Sequence, residues 1–447
     1  MKRLVVTDMS FYSDTSLNEE LIATFPRGWR TVMNSQEQTD LILSFARVLH
    51  VNGQSTDETL AATERLSRNL GLSAKVIPRW GELELQVGNL GTIPVAIGAA
   101  DPTGVDMDRV ASAMRAIDEV SAGRIAPSAA LKTIKAISQA PPAPTWQFTV
   151  AAAAGAASLS VIFGVQHVAA VLLIVASAAA GAVLRRTLAK YNTNPLLQPF
   201  CAALLAGIVG ALAVQYQLSS SLRLIAVCPC MILVPGPHVL NGMMDLAAVR
   251  IPLGASRLLY GGLIILAISA GLLLGLTLLN VSLPVDQPGR PVPLWLDVIA
   301  AGIAVAAYSI FFSTPLRMLG WPVAVGILAH ALRWWTLSVG AGVGTGALVA
   351  CLLAGLVLTP VAGRSQMPFA AIGFASVVSM MPGVFLFRMV SGLLQLVNSS
   401  NTTLQLLGGT VADGLIAITI ILAMSFGLIV PKIVIDHLFD GAARSKS

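Results

Sequence analysis

CPCMILVPGPHVLNGMMD, residues 228–245, is apolar enough to read as a membrane helix, yet it carries three prolines, two cysteines, a histidine, an asparagine and an aspartate. Proline lacks the N–H that bonds the carbonyl one turn earlier, and glycine reaches backbone angles that other residues avoid. Pro235-Gly236-Pro237 therefore predicts a helix broken in mid-membrane. Unpaired backbone groups at that depth are tolerated only where protein or a watered cavity satisfies them, and half-helix ends supply partial charges suited to an ionic solute. His238, Asn241 and Asp245 follow at helical spacing, so they share one face, and that face is expected to point inward.

The whole chain agrees with a membrane setting. Its 447 residues are 55% hydrophobic and 11% charged, against roughly 25% charge in a soluble domain. The formal charge of +6 comes largely from bases in loops between apolar runs. It reads as a topology signal, and nucleic acid is not an expected partner. The apolar stretch after Met1-Lys2-Arg3 ends at Asp8, too soon for a signal peptide, which keeps the N-terminus cytoplasmic. Cys201, Cys228, Cys230 and Cys351 lie inside apolar runs as small hydrophobes, and no disulfide framework is implied.

Beyond Trp146, stretches able to cross a hydrocarbon core lie near 147–164, 167–184, 196–215, 222–243, 258–280, 294–313, 321–339, 341–361, 368–388 and 409–431. With the N-terminus inside, the inner loops and tail collect Arg185, Arg186, Lys190, Arg250, Arg257, Arg317, Arg364, Lys432, Arg444 and Lys446, whereas the outer loops hold little beyond Arg223 and Arg290. The positive-inside rule thus agrees with ten helices and both termini in the cytoplasm.

MILVPGPHVLNGMMDL at 231–246 is echoed, with a short gap, by MMPGVFLFRMVSGLLQL at 380–396. Pro235-Gly236 and Pro382-Gly383 fall in the fourth stretch of two five-helix halves, 146–281 and 294–435. Because five is odd, the halves enter the membrane from opposite sides. The fold expected is an α-helical polytopic membrane protein of two inverted five-helix repeats, the architecture of secondary transporters. Arg388 follows Pro382 by the interval that separates Asn241 from Pro235. Pro235, Gly236, His238, Asn241, Pro382, Gly383 and Arg388 are therefore expected to bind a zwitterionic solute. In that reading Arg388 and the helix ends hold its carboxylate, while Asp245 or His238 takes the ammonium or a coupling proton. Asp245 and Arg388 read equally well as anchors at the membrane boundary.

Residues 1–34 show no clear period, and 436–447 form a tail. Between the N-terminal tail and the membrane part, residues 35–140 predict a small cytoplasmic α/β domain. Apolar positions recur at helical spacing from Asp40 to a cap at Asn52-Gly53. Ser55 and Glu58 form a capping box ahead of a second helix ending at Gly71, with Glu58 reaching back. KVIPRW, ELELQVG and TIPVAIG read as strands, 106–122 and 127–139 as helices, and APPAP at 140–144 as a stiff hinge. Such a domain is placed to plug or gate the inner face.

Cys228-Pro229-Cys230 also resembles a soft-metal ligand pair, but a copper pump needs a phosphorylation domain, and Asp101-Pro102-Thr103-Gly104 lacks the lysine of that motif. His330 and Arg333, beside Trp334-Trp335, read as an interfacial anchor with a snorkelling arginine. A hydrolase built on His50, Asp57 and Glu58 is disfavoured because Glu58 already caps a helix, and no ATP-binding, HExxH or GxSxG motif is present. A passive channel or solute sensor stays open, since pores also contain broken helices. No cofactor is expected, and a homo-oligomer is compatible with the chain.

FARVLHVNGQSTDETLAATERLSRNLGL at 45–72, the short strands, and ten membrane stretches with Pro-Gly in the fourth and ninth resemble the bacterial threonine/serine exporter family. The resemblance covers about 35–435, in the form in which two halves are fused. It implies export of L-threonine and L-serine across an inner membrane, driven by the proton gradient, and carries over no established binding residue.

Overall fold

The computed structural model describes residues 34–88, 96–191, 194–216, 222–281, 292–365, 367–398 and 403–444. Met1–Met33 of the N-terminal tail, residues 282–291 with Arg290, and Lys446 lie outside the described residues.

The N-terminal domain opens with α1 (Ser35–Val51), whose start is a reciprocal capping box. Asn34 accepts from the Glu37 amide at 2.8 Å, and Glu37 accepts from the Asn34 amide at 3.1 Å. The helix therefore begins ahead of Asp40, and it buries Leu41, Phe45, Val48 and Leu49. Its end turns through Gly53 at φ +94°, a left-handed angle that a residue with a Cβ adopts only with strain. In α2 (Thr56–Asn69) Ser55 accepts from the Glu58 amide at 3.4 Å as expected, but the Glu58 carboxylate points to Lys432, 3.6 Å away, instead of back to the cap. Strands β1 (Ala74–Arg79), β2 (Gly81–Val87) and β3 (Ala96–Ala100) form an antiparallel meander, with Ala74 opposite Val87 and Leu83 opposite Gly98. The expected third strand began at Thr92, and its first residues lie outside the described ones. Helices α3 (Met107–Ser121), capped by Asp106, and α4 (Pro127–Gln139) close the core around Phe45, Leu66, Leu83, Leu85 and Ile117.

Among the described residues, seven helices are long and apolar enough to cross a membrane unbroken: α5 (Thr145–Ile162), α6 (Val168–Tyr191), α7 (Leu197–Gln215), α10 (Ile251–Thr277), α11 (Leu294–Phe311), α13 (Val343–Ser365) and α16 (Leu404–Arg444). Two bent pairs raise the number to nine. One is α8 (Leu222–Met231) with α9 (Gly236–Ala247), bent by 56°. The other is α14 (Phe369–Val377), extended by a 3-10 turn to Met380, with α15 (Gly383–Asn398), bent by 62°. α12 (Gly320–Ser338) fills the seventh expected stretch, but His330, Arg333 and its polar ends leave it short of the apolar content of the others. Since α10 starts at Ile251, Arg257 is not a loop residue as expected from the sequence; it lies inside the helix, 1% exposed.

The two halves repeat one packing pattern. In the first, α5 packs on α6, α6 on α7, α7 on α10 and on α8, and α9 on α10; in the second, α11 packs on α12, α12 on α13, α13 on α16 and on α14, and α15 on α16. Between the halves, α5 meets α11, α8 meets α15, and α9 meets α14. The two bent pairs therefore cross at their breaks, each first half against the other's second half. The crossing is tightly packed: a Cβ on Gly236 would fall inside the Phe374 ring, Met231 lies against Gly383, and Tyr308 donates to the Met231 carbonyl at 2.9 Å.

The N-terminal domain docks on one end of this bundle through the α1–α2 turn. Asn241 donates to the Gly53 carbonyl at 3.0 Å, the Met107 amide donates to the Phe312 carbonyl at 3.0 Å, and Asp57 pairs with Arg250.

Candidate functional site

At the first break the chain leaves α8 through Leu233-Val234 and re-enters helix at Gly236. Pro237 sits in the first turn, where a missing N–H leaves no intrahelical bond unmade. A cavity of about 440 Å³ opens beside the break. Val234, Pro235 and His238 line it from the break, Arg185 and Arg186 from the end of α6, Phe311 and Phe312 from the end of α11, and Asp106 from the N-terminal domain. His238 stands edge-on to Tyr260 at 5.2 Å, and Tyr260 leans at 5.2 Å on Trp80 at the tip of the β1–β2 hairpin.

The arginines give the cavity its chemistry. Arg186 lies 4.3 Å from the centre of the Phe148 ring and Arg185 5.2 Å from that of Phe311, so aromatic faces hold both guanidinium planes. Nε and Nη1 of Arg185 and Nε of Arg186 are buried with no hydrogen-bond partner. Unmet donors of this kind cost about 1–3 kcal/mol each, and a solute carboxylate entering the cavity would meet them in the geometry that guanidinium favours. Asp106 lies in the same wall, and burial pushes its carboxyl above the ordinary value against the opposing pull of Arg109.

The inward face of α9 continues into the docking surface. Asp245, 1% exposed, pairs with Arg257 at 3.2 Å and with Arg250 at 3.4 Å; Arg257 in turn approaches His50 Nδ1 at 3.5 Å. Burial, with Arg257 adding to it, lowers the His50 pKa to about 3. The three polar residues of α9 thus divide their work: His238 faces the cavity, Asn241 bonds the N-terminal domain directly, and Asp245 holds Arg250, which pairs with Asp57 of that domain.

At the second break a cavity of about 360 Å³ is lined by Asp297, Arg333, Ser379, Met381 and Pro382 among others. His330, expected as an interfacial anchor, is fully buried behind this wall, with Nδ1 3.0 Å from Asp297 and Nε2 hydrogen-bonded to Ser379. Its partners are 33 and 49 residues away, which hid the group from any local motif. Arg388 pairs with Asp413 at 3.0 Å and lines neither cavity. The cavities sit at opposite ends of the bundle. On α5, Phe148 borders the first and Ile162 the second; on α11, Phe311 borders the first and Asp297 the second. At 1.5 Å per helical residue they are about 20 Å apart.

The hydrolase residues of the N-terminal domain do not form a reactive cluster. His50 packs on Arg257, Asp57 pairs with Arg250, and Glu58 faces Lys432. Cys230 donates to the Ala226 carbonyl at 3.3 Å, an ordinary bond within α8.

Residues 40–279 match the family described as "Putative threonine/serine exporter", and residues 297–434 match "Threonine/Serine exporter, ThrE". A "Probable threonine/serine exporter" of Mycobacterium tuberculosis is 24% identical over 418 residues, covering 86% of this chain and 77% of its own length. No solved structure matches the chain.

Proposed function

The chain belongs to the threonine/serine exporter family, and on that premise we propose that it is a secondary transporter of the bacterial inner membrane that exports L-threonine and L-serine. The proton gradient drives export by antiport, and the N-terminal domain and both chain termini face the cytoplasm. The single observation that carries the reading is the first cavity: a helix break, two arginines with unmet N–H groups, and His238 around a space of about 440 Å³. In that cavity the solute carboxylate meets Arg185 and Arg186, while its ammonium faces Asp106. The carboxylate role expected of Arg388 passes to the α6 pair because Arg388 is engaged by Asp413. Pro382 and Gly383 form the matching break on the far side of the crossing, and His238 and Asp245 are the groups expected from the sequence to respond to protons.

Two inverted repeats of five spans each are the architecture proposed, with α12 as the seventh of ten. Support comes from the helix contacts: exchanging the halves maps α5 onto α11, the α8–α9 pair onto α14–α15, and every packing named above onto another. The packed crossing favours a gated transporter over a passive pore. Asn241, Asp245 and Arg250 hold the N-terminal domain against the inner face as a gate.

Uptake of labelled L-threonine into reconstituted vesicles, competed by L-serine, tests the site. Arg185→Gln and Arg186→Gln should each raise the KM about tenfold or more, the loss of one charge-assisted hydrogen bond of about 1.5–3 kcal/mol. An unchanged KM in both variants would overturn the assignment of the carboxylate.

A further inference from the structure

Three polar side chains from three elements meet at the second break. Asp297 comes from the first turn of α11, His330 from the middle of α12, and Ser379 from the 3-10 turn just before Pro382. They are 4%, 0% and 3% exposed, and His330 joins the other two, Nδ1 to Asp297 at 3.0 Å and Nε2 to Ser379. Among the described residues, the other titratable groups facing this cluster are Arg333, one turn along α12, and Cys351 from α13 beside Arg333. Asp297 and Ser379 both line the second cavity, so each end of the chain of hydrogen bonds opens onto it while the imidazole stays behind.

Ionisable groups inside a membrane are costly and mark proton or solute paths. A neutral imidazole uses one nitrogen as donor and the other as acceptor. With Nδ1–H donating to the Asp297 carboxylate, Nε2 accepts from the Ser379 hydroxyl. A proton arriving at the Ser379 oxygen from the cavity moves the hydroxyl's own proton to Nε2. The product is an imidazolium beside the Asp297 carboxylate, with the Arg333 guanidinium facing the pair. The reverse transfers return the proton, and no bond between heavy atoms changes.

We propose that Asp297, His330 and Ser379 form a proton-binding site loaded from the second cavity, the end of the bundle opposite the arginine-lined one. It rests on the transport reading above and deepens it: solute loads at one end, the coupling proton at the other, as antiport requires. The site ties the segment before Pro382 to α11 and α12, so its protonation state sets how firmly the second break is held. His330 carries the proton, while Asp297 and Ser379 are positioning and access residues.

The test compares two fluxes of labelled L-threonine in reconstituted vesicles: counterflow with no proton gradient, and accumulation under an imposed gradient, each across external pH 5.5–8. For His330→Gln the ratio of accumulation to counterflow should fall at least tenfold and the pH profile of accumulation should flatten. Should that variant not fold, Ser379→Ala keeps the imidazole–carboxylate pair and is read in the same way. A wild-type ratio and pH profile in both variants overturns the proton site and leaves the transport reading standing, as does a loss confined to His238→Gln. Absence of counterflow in the wild type overturns the transport reading, and this site with it.

Discussion

At the scale of single residues, the docking surface is governed by one buried imidazole and one buried carboxylate. Asp245 keeps two guanidinium partners, and a buried charge that loses its partner costs about 3–5 kcal/mol, so the face of α9 closest to the N-terminal domain is fixed by charge pairing. His50, on the other side of Arg257, is fully buried and titrates near pH 3 in place of its ordinary 6.5. Between those values the unfolded domain binds a proton that the folded one refuses, so stability rises with pH across that window and falls as the pH drops through it. The full span is on the order of 5 kcal/mol, of which about 2 is lost by pH 5. In His50→Gln this contribution disappears, and the melting temperature of the purified protein should depend less on pH between 7 and 5 than in the wild type. An equal slope for both proteins would mean that folding leaves the proton affinity of His50 unchanged.

At the scale of elements, the breaks were legible and the groups around them only partly so. Pro235-Gly236 and Pro382-Gly383 announce themselves because no helix can bond through them, and both bent pairs turn at those residues. His238 was visible by its spacing from the break. Arg185 and Arg186 were legible only as inner-loop charge, because the Phe148 and Phe311 rings that hold them come from distant helices. His330 reads as an interfacial anchor for the same reason: Asp297 and Ser379 belong to other elements, and Trp334-Trp335 alongside points to an interface. Glu58 had the spacing of a capping residue but found Lys432, a stronger electrostatic partner from the far end of the chain. The packing of the breaks yields a direct test. Gly236→Ala forces a methyl into the Phe374 ring, and such overpacking costs about 1–3 kcal/mol; it should lower the melting temperature and abolish transport. Phe374→Ala in the same chain should recover part of both, whereas a Gly236→Ala protein with wild-type flux would show that the crossing does not need this contact.

At the scale of the whole molecule, two cavities at opposite ends of one bundle are separated by the crossing of the broken helices, and the N-terminal domain covers the end where the arginines lie. The helical, many-span membrane character and the family were readable from the sequence, because apolar length, the punctuating prolines and the α1–α2 stretch are local signals. The relation between the cavities was not, since it depends on which helices pack together. The central claim is that solute passes around this crossing by opening one cavity as the other closes. The measurement that tests it most directly is thiol labelling of single cysteines, Val234→Cys in the first cavity and Val384→Cys in the second, in a protein whose four native cysteines are replaced. Labelling is followed in vesicles with and without L-threonine under a proton gradient. The account predicts reciprocal change, with one position gaining reactivity as the other loses it. Reactivities that rise or fall together, or ignore both threonine and the gradient, would contradict it.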